Sequence, residues 1–264
     1  MKTAVLVSRL NRRYRQLAAG FCFVLFGVAA LIVGGIVAPL AGGLTVDLQK
    51  RRRRARRVIR LAARMFWRTM HALGLFRCEI TGAQFLQTER ALIVANHPTL
   101  IDALLLQGLI DNLTCVAKPG LARNWATRSA HRAAGYIVGE SGHAMVQAAA
   151  AELAQGSRVL VFPESTRSAP GAAVVFQRGA AAIAARTNCP VVMVTIRVTE
   201  PLLFKGSAWY EMPERVPCFH VVVQPPLDVT PIVQAHRSVA LAARDLNARL
   251  QAKFDGELAP RGSA

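Results

Sequence analysis

Acidic residues are scarce in this sequence, and nucleotide-binding loops and metal-binding spacings are absent. It has 15 Asp and Glu against 33 Lys and Arg, for a formal net charge of +18. No GxGxxG or GxxxxGK[ST] loop occurs, so we expect none of the nucleotide cofactors that those loops hold. No histidine has a partner at a metal-ligand spacing such as HExxH, and we expect no metal ion. The five cysteines include no CxxC pair and predict reduced thiols in a cytosol-facing protein, not a disulfide framework.

The positive charge is concentrated at one end of the chain. Residues 1–68 carry +14 of the +18, with Asp47 as their one acid, and residues 69–264 carry +4. A nucleic-acid-binding domain would carry its cations on the domain itself. A basic segment before a nearly balanced domain is typical of attachment to an anionic membrane surface. The arginine run 51–57 alone would also suit nucleic acid, but we expect no nucleic-acid partner.

An uncharged stretch of 28 residues, 17–44, lies within the basic segment. About 20 apolar residues are enough to span a bilayer as a helix. The stretch is too long for a signal peptide, and an arginine run follows it in place of a cleavage site. Two arrangements remain open: the helix spans the membrane, or it bends at Gly34-Gly35 or at 39–43 and returns to the side from which it entered. In both, residues 1–76 would form a membrane anchor.

Residues 49–76 predict a second membrane-binding element, a basic amphipathic helix. Arg56, Arg60, Arg64 and Arg68 recur every four residues and would form one stripe along this helix. A helix of this kind lies in the membrane interface and attracts anionic lipids. Its apolar face would alternatively pack on the domain that follows.

The rest of the chain alternates short apolar runs with helical stretches. Buried strands are predicted at 91–95, 113–117, 159–162 and 191–198. This alternation predicts an α/β fold: a largely parallel mixed sheet flanked by helices, with an N-terminal membrane-anchoring helical segment. We expect the domain to occupy residues 77–255 and the tail, 256–264, to be disordered.

Polar residues follow the strand 91–95 at its carboxyl end, in the sequence NHPTLID of residues 96–102. Open α/β sheets place their chemistry at such strand ends. Five residues of separation let the Asp102 carboxylate reach back to the His97 imidazole across about one helical turn. A histidine held by a carboxylate is suited to taking a proton from an alcohol. A capping box from Thr99 to Asp102 is the structural alternative.

A second polar cluster, FPESTRS at residues 162–168, follows another buried strand in the same way. It presents Glu164, Thr166 and Arg167, and the planar arginine fork suits phosphate or carboxylate oxygens. A surface turn with a Glu164–Arg167 ion pair is the alternative. Lys118 ends a third strand at the same edge, where it would bind a phosphate or remain solvated.

Together, the two clusters resemble the NHx4D and FPEGTRS motifs of the glycerolipid acyltransferases, and the similarity covers roughly residues 75–225. The resemblance implies an α/β fold and transfer of an acyl group from a thioester to a lipid hydroxyl, without a metal or a covalent acyl-enzyme. His97 would be the general base and Asp102 its orienting partner. The substrate-binding residues would be Glu164, Thr166, Arg167 and Lys118.

The sequence departs from the family pattern at two positions. Ser165 stands where the family has a glycine, and we expect it to reshape the turn, because glycine permits a positive φ. Ser141 stands where the family commonly has an arginine that helps to hold the acceptor phosphate. We expect this change to weaken selection for lysophosphatidic acid.

These features predict a membrane-bound O-acyltransferase that moves a fatty acyl group from acyl-CoA or acyl carrier protein to the hydroxyl of a lyso-lipid. Lysophosphatidic acid is the default acceptor, and the acyl donor is a co-substrate, so no bound cofactor is expected. The expected partners are membrane lipids, the donor thioester and acyl carrier protein. The expected location is the inner membrane, with the domain facing the cytoplasm. The alternatives are a specialised non-phosphate hydroxy-lipid as acceptor, or a non-catalytic membrane adaptor, against which the intact His97–Asp102 pair argues.

Overall fold

The structure, a computed structural model, describes residues 2–43, 45–138, 142–167 and 175–258. Within these ranges seven strands form one sheet. The strands are β1 Arg77–Thr81, β2 Leu92–Ala95, β3 Leu113–Ala117, β4 Ile137–Val138, β5 Arg158–Val161, β6 Val191–Val198 and β7 Cys218–Val223. Their order across the sheet is β1-β7-β6-β2-β5-β3-β4.

Most neighbouring strands are parallel, which confirms the predicted fold class. Strand β2 lies at the centre and pairs in parallel with β5 on one side and β6 on the other. Strands β3 and β4 continue the parallel sheet beyond β5. Among the described strands, β6 and β7 alone are antiparallel neighbours, so β7 and β1 point the other way. The carboxyl ends of β2, β3, β5 and β6 therefore meet along one edge of the sheet.

Helices cover both faces of this sheet. They are α1 Lys2–Ile32, α2 Ala38–Gly43, α3 Leu48–Ala72, α4 Asp102–Leu109, α5 Pro119–Arg123, α6 Arg128–Ala134, α7 Gly142–Ala154, α8 Gly179–Thr187, α9 Thr230–Gln234 and α10 Val239–Leu258. A short 3-10 helix, Ala83–Gln87, follows β1. Ile93 of β2 packs in the cluster with α1, α3 and α4, whereas Leu92 and Val94 pack in the cluster with α7, α8 and α10. Burial on both faces explains why β2 is continuously apolar in sequence.

The long N-terminal helix contains a π-helical segment, Val33–Val37, which joins α1 to α2. The glycine pair Gly34-Gly35 lies in this segment, so it widens the helix locally and does not break it. Gly34 lies against α6, where a Cβ atom would come within 2.6 Å of the Ala130 backbone nitrogen. The chain then turns back into α3, whose first turn is capped by the Asp47 side chain.

Both ends of the apolar helix are tied to the same domain. Before the apolar stretch, the buried Arg15 guanidinium donates to the carbonyl oxygen of Glu214, 2.8 Å away. After it, Arg52 pairs with Glu152 at 2.6 Å. These contacts place both flanks on one side of any membrane that holds the helix, and they favour the re-entrant arrangement. By length and composition the helix Leu10–Gly43 could cross a membrane, and 17% of its most apolar window is buried, so most of that window is not covered by the rest of the protein.

Part of the arginine stripe of α3 faces the domain, whereas Arg68 is exposed, and lipid binding by this helix stays a prediction. Arg56 is buried and pairs with Glu152 at 2.8 Å, and Arg60 pairs with Asp111 at 3.3 Å. A buried carboxylate such as Glu152 requires a charged partner, and α3 supplies it. The exposed residues of α3 include Arg54, Arg57, Leu61, Met65 and Arg68. Cations and apolar side chains thus share the solvent side of the helix.

Two helix ends differ from the sequence predictions. Helix α3 ends at Ala72, four residues before the predicted end, because Gly74 adopts a left-handed conformation with φ of 68°. Helix α10 continues to Leu258, through the first residues of the tail that was predicted to be disordered. Residues 259–264 of that tail lie outside the described residues.

Candidate active site

The sheet brings the predicted site residues to one edge. The turn with His97 follows β2, the turn with Glu164, Thr166 and Arg167 follows β5, and Lys118 follows β3. Because β2, β3 and β5 are parallel neighbours, their carboxyl ends are adjacent. Ser141, the departure that bears on the acceptor, lies outside the described residues.

His97 and Asp102 form a hydrogen-bonded pair across the first turn of α4. The His97 Nδ1 atom is 2.9 Å from Asp102 Oδ2, and the imidazole keeps 20% of its side chain exposed while the carboxylate is fully buried. The same carboxylate accepts from the Thr99 backbone N–H at 2.6 Å and from the Thr99 hydroxyl at 2.5 Å. Asp102 therefore both orders the turn, as the capping alternative proposes, and orients the imidazole. The Nε2 atom is left on the opposite side of the ring.

Three neighbouring side chains hold the His97 turn. The Asn96 amide exchanges two hydrogen bonds with the backbone of Ile196 in β6, at 2.7 and 2.8 Å. Glu164 accepts a hydrogen bond from the His97 backbone N–H at 2.8 Å. The Phe162 ring stacks on the imidazole with centroids 4.2 Å apart. The backbone and the ring plane of His97 are thus set from β5 and β6.

The electrostatics of the pair are dominated by burial. Removal from water raises the pKa of the Asp102 carboxyl above its ordinary value, against the smaller lowering by hydrogen bonds from His97 and Thr99. An ionised Asp102 is consequently poorly solvated. A positive charge on the adjacent imidazole offsets this charge, so the pair is suited to a reaction in which His97 gains a proton.

A cavity of about 660 Å³ opens beside His97. Its walls come mainly from α1, α3, α4 and the loop 199–217 between β6 and β7. The apolar side chains that line it include Cys22, Phe23, Phe26, Phe66, Leu104, Leu202 and Met212. Lys118, Thr166 and Arg167 line it as well. The cavity thus combines a long apolar wall with cationic groups near the candidate base.

Arg167 connects the β5 turn to the loop 199–217. Its guanidinium donates to the carbonyl oxygens of Leu203 at 3.1 Å and Phe204 at 3.2 Å. The Leu203 oxygen also accepts from the Leu100 backbone N–H at 3.0 Å. Leu203 has a φ of 56°, which is an uncommon conformation for a bulky residue. These bonds hold the loop in that conformation over the cavity.

Ser165 keeps a left-handed backbone conformation, with φ of 57°. The turn therefore has the positive φ that a glycine would adopt without strain, and whether it differs in shape from the family's turn stays a prediction. A serine at positive φ carries some backbone strain, of the order of 1 kcal/mol.

The four predicted substrate-binding residues do not all line the cavity. Lys118, Thr166 and Arg167 reach the cavity, whereas Glu164 is not among its described lining residues and contacts the His97 backbone. Their part in binding stays a prediction. The sequence did not predict that the loop 199–217 and helix α6 line the cavity. Motifs indicate the residues at strand ends, but they do not indicate which other segments fold over those ends.

A group of possible metal ligands lies apart from this cavity. Glu79, Cys218 and His220, on the neighbouring strands β1 and β7, place their ligand atoms within 4.8 Å of one another. Glu79 and His220 form an ion pair at 3.0 Å. No sequence spacing indicates this group, because its members come from two strands far apart in the chain.

Known proteins resemble this domain in sequence and in fold. Residues 77–197 match the Acyltransferase family model. The chain is 30% identical over 168 residues to mouse 1-acyl-sn-glycerol-3-phosphate acyltransferase alpha, a match that covers 60% of this chain and 58% of the relative. It is 28% identical over 207 residues to the chloroplastic 1-acyl-sn-glycerol-3-phosphate acyltransferase BAT2 of Brassica napus, covering 75% and 58%. The chain thus spans a little over half the length of these curated relatives.

The fold is also found in a solved structure. The crystal structure of the 1-acyl-sn-glycerophosphate (LPA) acyltransferase PlsC from Thermotoga maritima superposes with a TM-score of 0.72 at 22% identity, covering 96% of this chain and 100% of that one. The family match extends from β1 almost to the end of β6 and includes the turns that carry His97, Asp102 and Arg167. Residues 77–197 thus match the Acyltransferase family in sequence, and the chain has the fold of this solved acyltransferase.

Proposed function

We propose that this protein transfers a fatty acyl group from a thioester to the hydroxyl group of a lyso-lipid. The observation that carries the proposal is the His97–Asp102 pair, whose imidazole lines an apolar cavity with a wall that includes the N-terminal helix. A general base needs a proton-accepting nitrogen within reach of the reacting hydroxyl. The cavity supplies room for a fatty chain beside that nitrogen.

The proposed reaction is a direct attack on the thioester. The Nε2 atom of His97 accepts the proton of the lipid hydroxyl while the oxygen forms a bond to the thioester carbonyl carbon. The carbon–sulfur bond then breaks, and the thiolate leaves with the proton that His97 returns. Asp102 keeps the Nδ1–H tautomer and stabilises the imidazolium during transfer. A thioester is already activated, so a base and correct positioning are sufficient.

Lysophosphatidic acid is the default acceptor. Both curated relatives are named for 1-acyl-sn-glycerol-3-phosphate, and Lys118 and Arg167 place positive charge in the cavity beside His97. A guanidinium or ammonium group suits a phosphate head group. Ser141 removes a cation that the family commonly supplies, so we propose that a lyso-lipid without a phosphomonoester competes with this acceptor.

We propose that the reaction takes place at the cytoplasmic face of the inner membrane. Apolar side chains recur along one side of the N-terminal helix and are exposed: Leu10, Leu17, Phe21, Val24 and Val28. Lipid would cover this side, and a lyso-lipid could then enter the cavity along the helix. The soluble donor, acyl-CoA or acyl carrier protein, would approach from the cytoplasm.

The central test is the His97→Ala variant, assayed by release of free thiol and by formation of labelled diacyl product. We expect a loss of activity by a factor on the order of 10² or more. The matched control is His236→Ala, because His236 also pairs with a carboxylate, Asp245, at 3.1 Å but is not among the residues that line the cavity. A folded His97→Ala protein with unchanged activity would exclude the proposed mechanism.

The acceptor and the donor are tested in one competition assay. The purified protein receives a panel of lyso-lipids with either acyl-CoA or acyl carrier protein thioester. We expect Ser141→Arg to shift the preference toward lysophosphatidic acid. A strong preference for lysophosphatidic acid that is the same in both proteins would contradict the weakened-phosphate proposal.

A further inference from the structure

Three side chains at the β1 end of the sheet share the geometry of a metal site. Glu79 of β1 and Cys218 and His220 of β7 place their ligand atoms within 4.8 Å of one another. The two strands are parallel neighbours, with Glu79 opposite His220 in register. Cys218 and His220 are two residues apart, so their side chains lie on the same face of the strand. No residue of β1 or β7 is among the described residues that line the cavity beside His97, so this is a separate place on the molecule.

An ion can reach this group from solvent. The side chain of Glu79 is 71% exposed and that of His220 is 42% exposed, and Cys218 is half-buried. The opposite face of β7 is buried, because Phe219 and Val221 pack in the hydrophobic core. The three ligands therefore lie on the open face of strands that the core holds in place.

Backbone hydrogen bonds fix the residues that carry the ligands. The Cys218 N–H donates to the Thr199 hydroxyl at 3.0 Å, and the Cys218 carbonyl oxygen accepts from the Thr199 N–H at 3.1 Å. The pairing of β1 with β7 includes both Glu79 and His220, and the His220 Nδ1 atom lies 3.0 Å from Glu79 Oε2. Ligands carried by ordered strands lose little freedom when they bind an ion, so binding costs less free energy.

The three ligand types favour zinc. A thiolate sulfur, an imidazole nitrogen and a carboxylate oxygen bind Zn²⁺ in proteins, with bonds of about 2.0–2.3 Å, whereas Ca²⁺ and Mg²⁺ prefer oxygen ligands alone. Atoms at these distances from a tetrahedral ion lie about 3.5 Å apart, so small side-chain rotations are enough to complete the site. The thiolate of Cys218 and the carboxylate of Glu79 supply two negative charges, which balance the charge of the ion beside Arg77, the residue opposite Cys218.

We propose that Glu79, Cys218 and His220 bind one Zn²⁺ ion, with water as the fourth ligand. The thiol proton of Cys218 passes to solvent as the zinc–sulfur bond forms. Strand β1 lies at the end of the sheet and directly follows the N-terminal helices, so the ion joins this edge strand to β7. The inference departs from the expectation of no metal ion, which considered spacings within single segments and not pairs of strands. It does not depend on the proposed acyl transfer.

The test measures zinc binding by the full-length protein, purified in detergent without a polyhistidine tag and stripped of metal. We expect the wild-type protein to bind one Zn²⁺ ion per chain in competition with a chromophoric chelator. Cys218→Ser and His220→Gln should each weaken binding by a factor on the order of 10² or more, because each removes one of three protein ligands. Glu79→Gln should also weaken binding, because an amide oxygen carries no charge.

Two control variants should bind zinc as the wild-type protein does. Cys78→Ala changes the neighbour of Glu79, but Cys78 packs against the core and not with the ligand group. His236→Ala removes a histidine that pairs with Asp245 at 3.1 Å, and among the described residues no third candidate ligand joins that pair. Circular dichroism of the metal-free variants checks that each one is folded.

Cobalt gives a second readout, which reports the sulfur ligand directly. The wild-type protein with Co²⁺ should show a sulfur-to-metal charge-transfer band in the near ultraviolet, which Cys78→Ala retains and Cys218→Ser lacks. Zinc binding of equal strength in the wild-type protein, Cys218→Ser and His220→Gln would overturn the inference, and so would a cobalt spectrum without this band. Because the readout is bound metal and not acyl transfer, the result stands whatever the outcome of the His97→Ala assay.

Discussion

Replacement of Asp102 by Asn tests the proposed catalytic role of the His97–Asp102 pair separately from its structural role. The carboxylate accepts from His97 and from the Thr99 N–H through Oδ2, and from the Thr99 hydroxyl through Oδ1. An asparagine oxygen at the Oδ2 position keeps the first two bonds, and its NH₂ group donates to the hydroxyl oxygen instead. The variant therefore loses the negative charge but keeps the hydrogen-bonded turn.

The lost charge sets the expected size of the effect on rate. A positive imidazolium and a carboxylate whose charges lie about 4 Å apart attract each other by about 4 kcal/mol at an effective dielectric constant near 20. Because about 1.4 kcal/mol corresponds to ten-fold in rate, we expect Asp102→Asn to lower kcat by about 10² to 10³. The free energy of unfolding should change by less than about 1 kcal/mol at neutral pH or rise, because the buried charge is gone.

The assay is thiol release at saturating donor and acceptor, together with urea unfolding of the same detergent-purified protein across a pH series. Burial raises the pKa of Asp102 in the native state, so the native protein binds this proton more tightly than the unfolded chain. The wild-type protein should therefore lose stability as pH rises from the ordinary carboxyl pKa through the raised native value, and Asp102→Asn should not show this loss. The control is Asp245→Asn, at the more exposed His236 pair. An Asp102→Asn protein with more than about a tenth of wild-type kcat would refute the assigned role of the charge.

Three other substitutions test the framework of the site. Ser165→Gly should raise the free energy of unfolding by up to about 1 kcal/mol, measured by urea denaturation, because glycine adopts the positive φ of the β5 turn without strain; a decrease would contradict this. Arg56→Met should lower the free energy of unfolding by about 3 kcal/mol, because it removes the buried guanidinium partner of Glu152. In a double-mutant cycle, Glu152→Gln in the same chain should restore part of the loss. Arg15→Ala should speed tryptic cleavage within 199–217, because the loop loses two hydrogen bonds to α1; an unchanged cleavage rate would show that other contacts hold the loop.

Strand ends were more predictable from the sequence than the surfaces that pack on them. The apolar run before His97 and the run before Glu164 predicted buried strands of a largely parallel sheet, because buried strands of parallel sheets are continuously apolar. The spacing of the arginines in α3 predicted one shared face but contained no information about the partner of that face. The partner is Glu152, about 100 residues away in sequence, so lipid and protein partners could not be distinguished.

The packing around the cavity could not be predicted from the sequence for a related reason. Trp209 and Phe23 approach with ring centroids 5.7 Å apart, although one lies in a loop and the other in the N-terminal helix. Thr127 would be read from sequence as an ordinary helix cap, since nothing local shows that its side chain makes no capping hydrogen bond and that the residue lines the cavity. Such contacts join segments distant in the chain, and single-sequence periodicity does not report them.

The inward-facing arginines of α3 have a practical consequence for anyone who wishes to prepare this protein. A protein trimmed to begin at Arg77 would be left with the Glu152 carboxylate, which is 4% exposed in the intact chain, and without either guanidinium that neutralises it. It would also expose the apolar surface that Met70 and Phe66 cover. Removal of the N-terminal helices should therefore yield aggregated protein and not a soluble fragment, and purification should keep the whole chain in detergent or lipid nanodiscs.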